Sequence, residues 1–162
     1  MIPFIYKSDK PIGGKANGRN YLTHIAMWTG AKDYLAVQAQ EVFEWRFKTR
    51  RALTAAALPS VLLWVFVPGH WAALLALTFF IYLISWVLMR KIGLVEMELR
   101  GHAIEIAAAV DLYDRLYEVK LEEEAHALDV HYGQFNGWTR QDIRKALMSY
   151  GPWALKVYPK YT

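Results

Sequence analysis

The stretch QAQEVFEWRF, residues 38–47, carries polar side chains at the spacing that a helix needs for metal-assisted hydrolysis. Gln40 and Glu44 are four residues apart, so in a helix their side chains lie on one face and could hold one ion together. Glu41 follows the first of them, where a carboxylate could act as general base on a metal-bound water. The spacing therefore predicts two ligand positions and one catalytic position on a single helix.

A later stretch, VEMELRGHAIE, residues 95–105, offers further ligands. Glu98, His102 and Glu105 share one helical face because they are four and seven residues apart. Glutamine and glutamate alone would give an oxygen-only set, which suits magnesium, calcium or manganese. His102 adds the nitrogen ligand that zinc prefers. The candidate metal set is therefore Gln40, Glu44, Glu98 and His102, and the candidate catalytic residue is Glu41.

Two other interpretations of these polar residues remain open. Glu41 and Glu44 could be solvated charges that pair with Lys48 on the same helix. Glu123 and His126 form a Glu-x-x-His pair, but a di-iron carboxylate bundle needs two such pairs and this chain contains one. The acidic run around Glu123 is also typical of a helix surface that faces solvent.

An uncharged run of residues, Ala52 to Met89, dominates the middle of the chain. As one helix it would be roughly 57 Å long at 1.5 Å per residue, about twice the thickness of the hydrocarbon core of a membrane. Pro68-Gly69-His70 is a turn signal that divides the run into two arms. Basic residues flank both outer ends: Arg46, Lys48, Arg50, Arg51, Arg90 and Lys91. The pattern predicts a two-helix transmembrane hairpin with both ends on the cytoplasmic side, and a buried hairpin in a soluble core is the alternative.

Composition limits the chemistry further. The chain has 162 residues, a formal net charge of +4 and no cysteine. Disulfides, thiolate metal ligands and a cysteine nucleophile are therefore excluded. The basic N-terminal third would suit nucleic acid or an anionic membrane surface. The uncharged run favours the membrane, and no specific nucleic-acid partner is expected.

We predict a mainly α-helical membrane protein with amphipathic helices packed outside the membrane. A small N-terminal turn and β segment, residues 1–33, contains strands in MIPFIY and YLTHIAMW. The motif helix is residues 34–51, the transmembrane hairpin is residues 52–89, and one long helix or a helix pair is residues 90–132, with a break near Gly101 or Glu118. Residues 133–162 form a short helix, capped by Thr139 and Asp142 and ended by Gly151-Pro152, followed by a tail.

Over roughly residues 12 to 130 this order of elements resembles a family of small phage-type proteins similar to gluzincin metallopeptidases. In that family a β-rich segment precedes a helix carrying LLAHExxHxxQ, an apolar hairpin follows, and a helix with a glutamate-rich ExEA supplies the third zinc ligand. The resemblance implies that Gln40 and Glu44 occupy the two histidine positions and Glu41 the general-base position. It implies Glu98 as the third ligand. Because both histidines are replaced, the site is expected to be degenerate.

Three functions follow as expectations. The first is a non-catalytic membrane protein on a peptidase-like scaffold, with no cofactor; the resemblance implies a phage component, in a virion or in a membrane. Its partners would be the lipid bilayer and other protein subunits, including further copies of the chain. The second is a metal-dependent membrane peptidase with altered ligands, which would bind zinc or another divalent cation. The third is a membrane-anchored interaction module whose acidic C-terminal helix binds a basic partner.

Overall fold

The computed structural model describes residues 3–12, 17–66, 69, 71–89, 94–132 and 137–162. Within these ranges the chain is mainly helical and has a small N-terminal sheet, as the sequence predicted. Contacts divide the chain into two compact units. The first contains Met1–Trp45 and Val95–Thr162, and the second contains Arg46–Leu94. We call them the sheet unit and the apolar unit.

The sheet of the first unit has three short strands. These are β1 (Phe4–Ser8), β2 (Gly18–Asn20) and β3 (His24–Trp28), in the order β1-β3-β2. β1 pairs with β3 in parallel and β2 pairs with β3 in antiparallel fashion. Alternate residues of β3, Ile25 and Met27, are fully buried and pack with residues of the following helix. β1 overlaps the predicted strand MIPFIY and continues two residues beyond it, and β3 is a shorter part of the predicted strand YLTHIAMW. β2 was not predicted because the three residues GRN carry no apolar alternation.

The first helix, α1, runs from Tyr34 to Phe66 and so joins the motif helix to the first apolar arm without a break. Pro59 lies inside it. Asp33, directly before α1, has a φ of 56°, in the left-handed region, and its carbonyl accepts hydrogen bonds from Ala36 and Val37. The boundary between the two units falls within α1, after Trp45.

In the apolar unit, α2 (Trp71–Met89) contacts the end of α1. The indole nitrogen of Trp64 donates a hydrogen bond of 3.0 Å to the Thr78 hydroxyl, and the rings of Trp64 and Trp71 are 5.2 Å apart. Gly69, in the predicted turn, has a φ of 103°, which favours glycine. Pro68, His70, Arg90 and Lys91 lie outside the described residues.

One helix segment among the described residues, Trp71–Leu88, is long and apolar enough to cross a membrane. The sequence had predicted two such spans. The first arm falls short because a helix of 16 residues is roughly 24 Å long, less than the hydrocarbon thickness of about 30 Å. Pro59 interrupts its hydrogen-bond ladder as well. Length and composition therefore identify α2 alone as a candidate span in this part of the chain.

The remaining helices belong to the sheet unit, apart from the first residue of α3. α3 (Leu94–Tyr113) contains Gly101 in its interior, and α4 (Tyr117–Tyr132) follows a break at Asp114, whose φ is 51°. The break lies near Glu118, one of the two predicted positions.

The last helix, α5, spans Arg140–Val157 and is followed by a 3₁₀ helix, Tyr158–Lys160. The predicted capping box is confirmed, because the Thr139 side chain accepts from the Asp142 N–H and the Asp142 side chain accepts from the Thr139 N–H. The predicted end of this helix at Gly151-Pro152 is wrong. The helix continues because its buried face, which includes Leu147 and Ala154, extends beyond Pro152. Packing of that face offsets the hydrogen bond that proline removes.

Candidate functional site

The predicted motif helix and the predicted third-ligand helix meet at Gly101, within the sheet unit. A Cβ atom at Gly101 would lie 2.9 Å from Glu44 Oε1 and 3.1 Å from Gln40 Cγ. Such distances are too short for any residue other than glycine unless the side chains of α1 move. The backbone of α3 at Gly101 therefore packs directly on Gln40 and Glu44.

On the α1 side, Gln40 and Glu44 bond to each other. Gln40 Nε2 donates to Glu44 Oε1 at 2.9 Å, and Asn20 Nδ2 donates to Glu44 Oε2 at 3.3 Å. All three side chains are buried. Because each oxygen of Glu44 accepts an amide hydrogen, this carboxylate is stabilised by hydrogen bonds within the protein. Asn20 was not identified from the sequence, since β2 itself was not predicted.

On the α3 side, His102 lies between two glutamates. Its Nδ1 is 2.5 Å from Glu124 Oε2, and its Nε2 is 3.9 Å from Glu98 Oε2. Burial alone would lower the pKa of His102, but the hydrogen bond to Glu124 and the charges of Glu124, Glu105 and Glu98 raise it to about 9. At neutral pH the imidazole is therefore protonated and forms a charge-assisted contact with Glu124.

Lys120, on α4, is the second cation of this cluster. Its Nζ lies 2.5 Å from Glu124 Oε1, 2.8 Å from Glu105 Oε1 and 3.8 Å from Asp33 Oδ2. Burial opposes its charge, but the neighbouring carboxylates Glu105 and Glu124 raise the pKa of Lys120 above its usual value. Arg115 Nε also lies 3.6 Å from Asp33 Oδ2. The ammonium of Lys120 is thus shared by carboxylates from three segments of the chain.

The two carboxylates bound to Lys120 differ in their pKa. Burial raises the pKa of Glu105 to about 7, with the Glu124 charge adding to the effect against the opposing charges of Lys120 and His102. Burial would also raise the pKa of Glu124, but its bonds to His102 and Lys120 lower it to about 2. Glu124 therefore carries a full negative charge at neutral pH.

A cavity of 380 Å³ adjoins these groups within the sheet unit. Its polar lining combines the α1 and α3–α4 sides and includes Asp33, Gln40, Glu41, His102, Glu105, Lys120 and Glu124. Glu41, the predicted general base, also packs against β2, because a Cβ at Gly18 would lie 2.8 Å from its Oε1. The predicted catalytic position thus borders the same cavity as the buried charged cluster.

The predicted ligand set is divided between two neighbouring groups. Gln40 and Glu44 associate with Asn20, whereas His102 associates with Glu124 and also contacts Glu98. Among the described residues, one group of His, Asp or Glu places a ligand atom from each member within 4.8 Å of the others: His102, Glu105 and Glu124. The sequence predicted neither Glu105 nor Glu124 as a ligand, although it placed Glu105 on the same helical face as His102.

The spacing of apolar residues along α4 is a sequence signal that could have identified Lys120 and Glu124 as buried. Lys120, Leu121, Glu124, Ala125 and Leu128 are all buried, which is the i, i+4, i+8 pattern of an inward-facing stripe. Leu121, Ala125 and Leu128 define the stripe by their apolar character, and the two charged residues directly precede members of it. Aligning the charges with this stripe predicts burial of Lys120 and Glu124.

Glu123 and His126, the Glu-x-x-His pair of the sequence, lie on the exposed face of α4. Glu123 pairs with Arg115 at 2.9 Å. The neighbouring acidic residues are paired too, because Arg144 lies 2.6 Å from Glu118. The acidic face of α4 is therefore largely neutralised by arginines of the same unit, including those of α5.

Comparison with known proteins identifies no relative: no family model, no curated protein and no solved structure matches this chain.

Proposed function

We propose that this chain is a small membrane-anchored protein whose sheet unit follows a peptidase-like plan but does not catalyse hydrolysis. The observation that carries this proposal is the hydrogen bonding of the Glu44 carboxylate. Both of its oxygens accept hydrogen bonds, from Gln40 and Asn20. A hydrolytic zinc needs two strong ligands on this helix and an open coordination position. An amide donor at Gln40 offers its hydrogens to Glu44 and is no substitute for an imidazole.

Membrane anchoring is supported by the apolar surface of α2. Only 17% of the candidate span is buried within the protein. Its exposed large side chains include Leu75, Leu77, Phe79, Phe80, Ile84, Val87 and Leu88. Apolar surface of this extent is unfavourable in water and is typical of contact with lipid.

The apolar end of α1 is proposed as the first arm of the membrane hairpin, beside α2. It exposes Leu58, Val61, Leu62, Val65 and Phe66 and bonds to α2 through Trp64. In this arrangement both ends of the hairpin lie on the cytoplasmic side, as the positive-inside rule implies for the basic residues Arg46 and Arg50.

Extraction tests the membrane assignment. We expect the native protein to stay in the membrane fraction after alkaline carbonate, and Leu77→Arg to reduce that fraction, because an arginine at the centre of a span costs about 2.5–3.5 kcal/mol on insertion scales. Leu116→Arg is the matched control, since Leu116 is 73% exposed in the sheet unit. Complete release of the native protein by carbonate would exclude membrane anchoring.

A proteolysis assay tests the non-catalytic assignment. We expect the purified protein to leave peptide substrates uncleaved, with and without added zinc, and Glu41→Gln to behave like the native chain. Cleavage that Glu41→Gln abolishes would instead establish a peptidase with altered ligands. That second function is favoured by one observation, namely that Glu41 lines the same cavity as the buried cluster around His102.

The third function, a membrane-anchored module that binds a basic partner through its acidic helix, is not favoured. The acidic face of α4 already pairs with arginines of the same unit. Association with a virion, other subunits or further copies of the chain remains a prediction.

A further inference from the structure

The group formed by His102, Glu105 and Glu124 has the donor types of a transition-metal site. His102 and Glu105 are three residues apart on α3 and share its face, and Glu124 approaches from α4. One ligand atom from each lies within 4.8 Å of the others. One imidazole nitrogen and two carboxylate oxygens suit Zn²⁺ or Mn²⁺, whereas Mg²⁺ and Ca²⁺ prefer oxygen alone.

A second observation is that a cation is already held at this position. The Lys120 ammonium is in direct contact with Glu105 and Glu124. The carboxylates of Glu105 and Glu124 thus converge on one cation. A divalent cation between the same atoms would keep these buried carboxylates compensated.

Asp33 is an alternative partner for the Lys120 ammonium when it moves away from Glu105 and Glu124. Its Nζ is 3.8 Å from Asp33 Oδ2, and the flexible lysine stem can move toward that carboxylate. Arg115 also contacts Asp33, so Lys120 would share this carboxylate with the Arg115 guanidinium. The adjoining cavity of 380 Å³ has room for several water ligands, at roughly 30 Å³ each. Exchange therefore needs a side-chain movement and no rearrangement of helices.

We propose that His102, Glu105 and Glu124 bind one divalent transition-metal ion in exchange for the Lys120 ammonium. On binding, Nδ1 of His102 becomes a ligand in its unprotonated form, any proton it carries passes to solvent, and Glu105 and Glu124 transfer from Lys120 to the ion. The bound ion joins α3 to α4 within the sheet unit. This inference goes beyond the proposed function, since an ion in this position can link helices without catalysing hydrolysis.

Metal titration of the full-length chain in detergent tests the proposal. After treatment with EDTA and its removal, Mn²⁺ and Zn²⁺ are titrated separately by calorimetry, and the bound metal is counted by elemental analysis. We expect one equivalent of metal, with Mg²⁺ unable to compete. Glu124→Gln should weaken metal binding by more than about 100-fold, because it removes a ligand. Loss of a residue that only hydrogen-bonds to a ligand typically costs about 10- to 100-fold. Glu123→Gln is the matched control, because Glu123 is the preceding residue on the exposed face, and it should bind as the native chain does.

Lys120→Met separates ion exchange from a fixed internal ion pair. If the ammonium competes with the metal, this variant should bind at least about tenfold more tightly than the native chain, because the competing charge is gone. Binding by Lys120→Met without any binding by the native chain would overturn the proposal and identify lysine as the resident cation. Equal binding by the native chain and Glu124→Gln would overturn it as well, by placing the metal elsewhere.

The native chain provides a measurement that needs no folded variant. A metal that binds the folded cluster should raise the thermal unfolding temperature, whereas an ion bound loosely to the surface should not. No rise with either Mn²⁺ or Zn²⁺ would count against the proposal. None of these results depends on proteolysis or on membrane extraction, so failure here would leave the proposed function standing.

Discussion

Lys120 carries the positive charge that three buried carboxylates share, and its removal is the sharpest test of the cluster at the scale of one residue. We expect Lys120→Met to lower the free energy of unfolding of the metal-free protein by about 3–5 kcal/mol, the usual cost of leaving a buried charge without its partner. The physical reason is that the buried carboxylates of Glu105 and Glu124 would then repel each other without the ammonium that now contacts both. Thermal and chemical unfolding in detergent with EDTA would measure the change.

Arg140→Met is the matched control for this substitution. Arg140 pairs with Glu122 at 3.2 Å, but both side chains are 46% exposed. Exposed pairs contribute about 0–1 kcal/mol, so this variant should unfold close to the native chain. A loss of similar size in the two variants would show that the burial of Lys120 has no special energetic role.

The residue scale also shows what the sequence could predict of the site. The spacing of Gln40, Glu41 and Glu44 places them on one helix. Because the motif helix and the helix after the predicted hairpin both adjoin that hairpin, connectivity also makes α1 and α3 neighbours. The hydrogen bond from Gln40 to Glu44 and the pairing of His102 with Glu124 depend on rotamers and on the position of α4. Spacing within one helix does not contain that information, because Glu124 and His102 are brought together only by tertiary packing.

At the scale of elements, the crossing of α1 and α3 at Gly101 determines how the two groups of polar residues meet. Gly101→Ala should destabilise the protein by about 1–3 kcal/mol, as overpacking of a close contact does. The new methyl group would displace the Glu44 carboxylate, which is held in place by Gln40 and Asn20. Chemical unfolding in detergent would measure the loss.

Gly151→Ala is the control for helix propensity in the same unit. A Cβ at Gly151 would meet its nearest neighbour, the Tyr117 hydroxyl, at 3.5 Å, which is ordinary contact. Because alanine favours helix over glycine by about 1 kcal/mol, this variant should be as stable as the native chain or more stable. If Gly101→Ala stabilised the protein to the same extent, the close approach of α1 and α3 would be disproved.

The elements themselves were predictable to different degrees. The capping box at Thr139 is a local pattern and identifies the start of α5 correctly. The end of α5 depends on Leu147 and Ala154 being buried against other helices, so Pro152 alone gave the wrong boundary. β2 is only three residues long and exists because β3 offers it a partner, which a local pattern cannot reveal.

At the scale of the whole molecule, the proposed hairpin has a topology that can be measured directly. The chain contains no cysteine, so each introduced cysteine is the only thiol present. In closed, right-side-out membrane vesicles, an impermeant reagent added outside should leave Ser8→Cys and Thr162→Cys unlabelled, because the proposal places both ends of the hairpin on the cytoplasmic side. Trp71→Cys, at the start of α2, should be labelled, because Trp71 is next to the turn between the arms.

Labelling of all three positions from one face would contradict a membrane-spanning hairpin. It would leave α2 as a helix that enters the membrane and returns, or that lies along its surface. Fully permeabilised vesicles provide the control, since all three cysteines should then react.

The discontinuous sheet unit has a consequence for the order of events during synthesis. Phe43 packs against Trp153 and Tyr161, and Asp33 lies beside Lys120, so the first 45 residues find these partners only in the last part of the chain. Residues 46–94 leave the ribosome in between. At roughly 5–20 residues per second their synthesis takes several seconds. Under the proposed membrane anchoring, the apolar unit is therefore available for insertion several seconds before the residues that complete the buried charged cluster are synthesised.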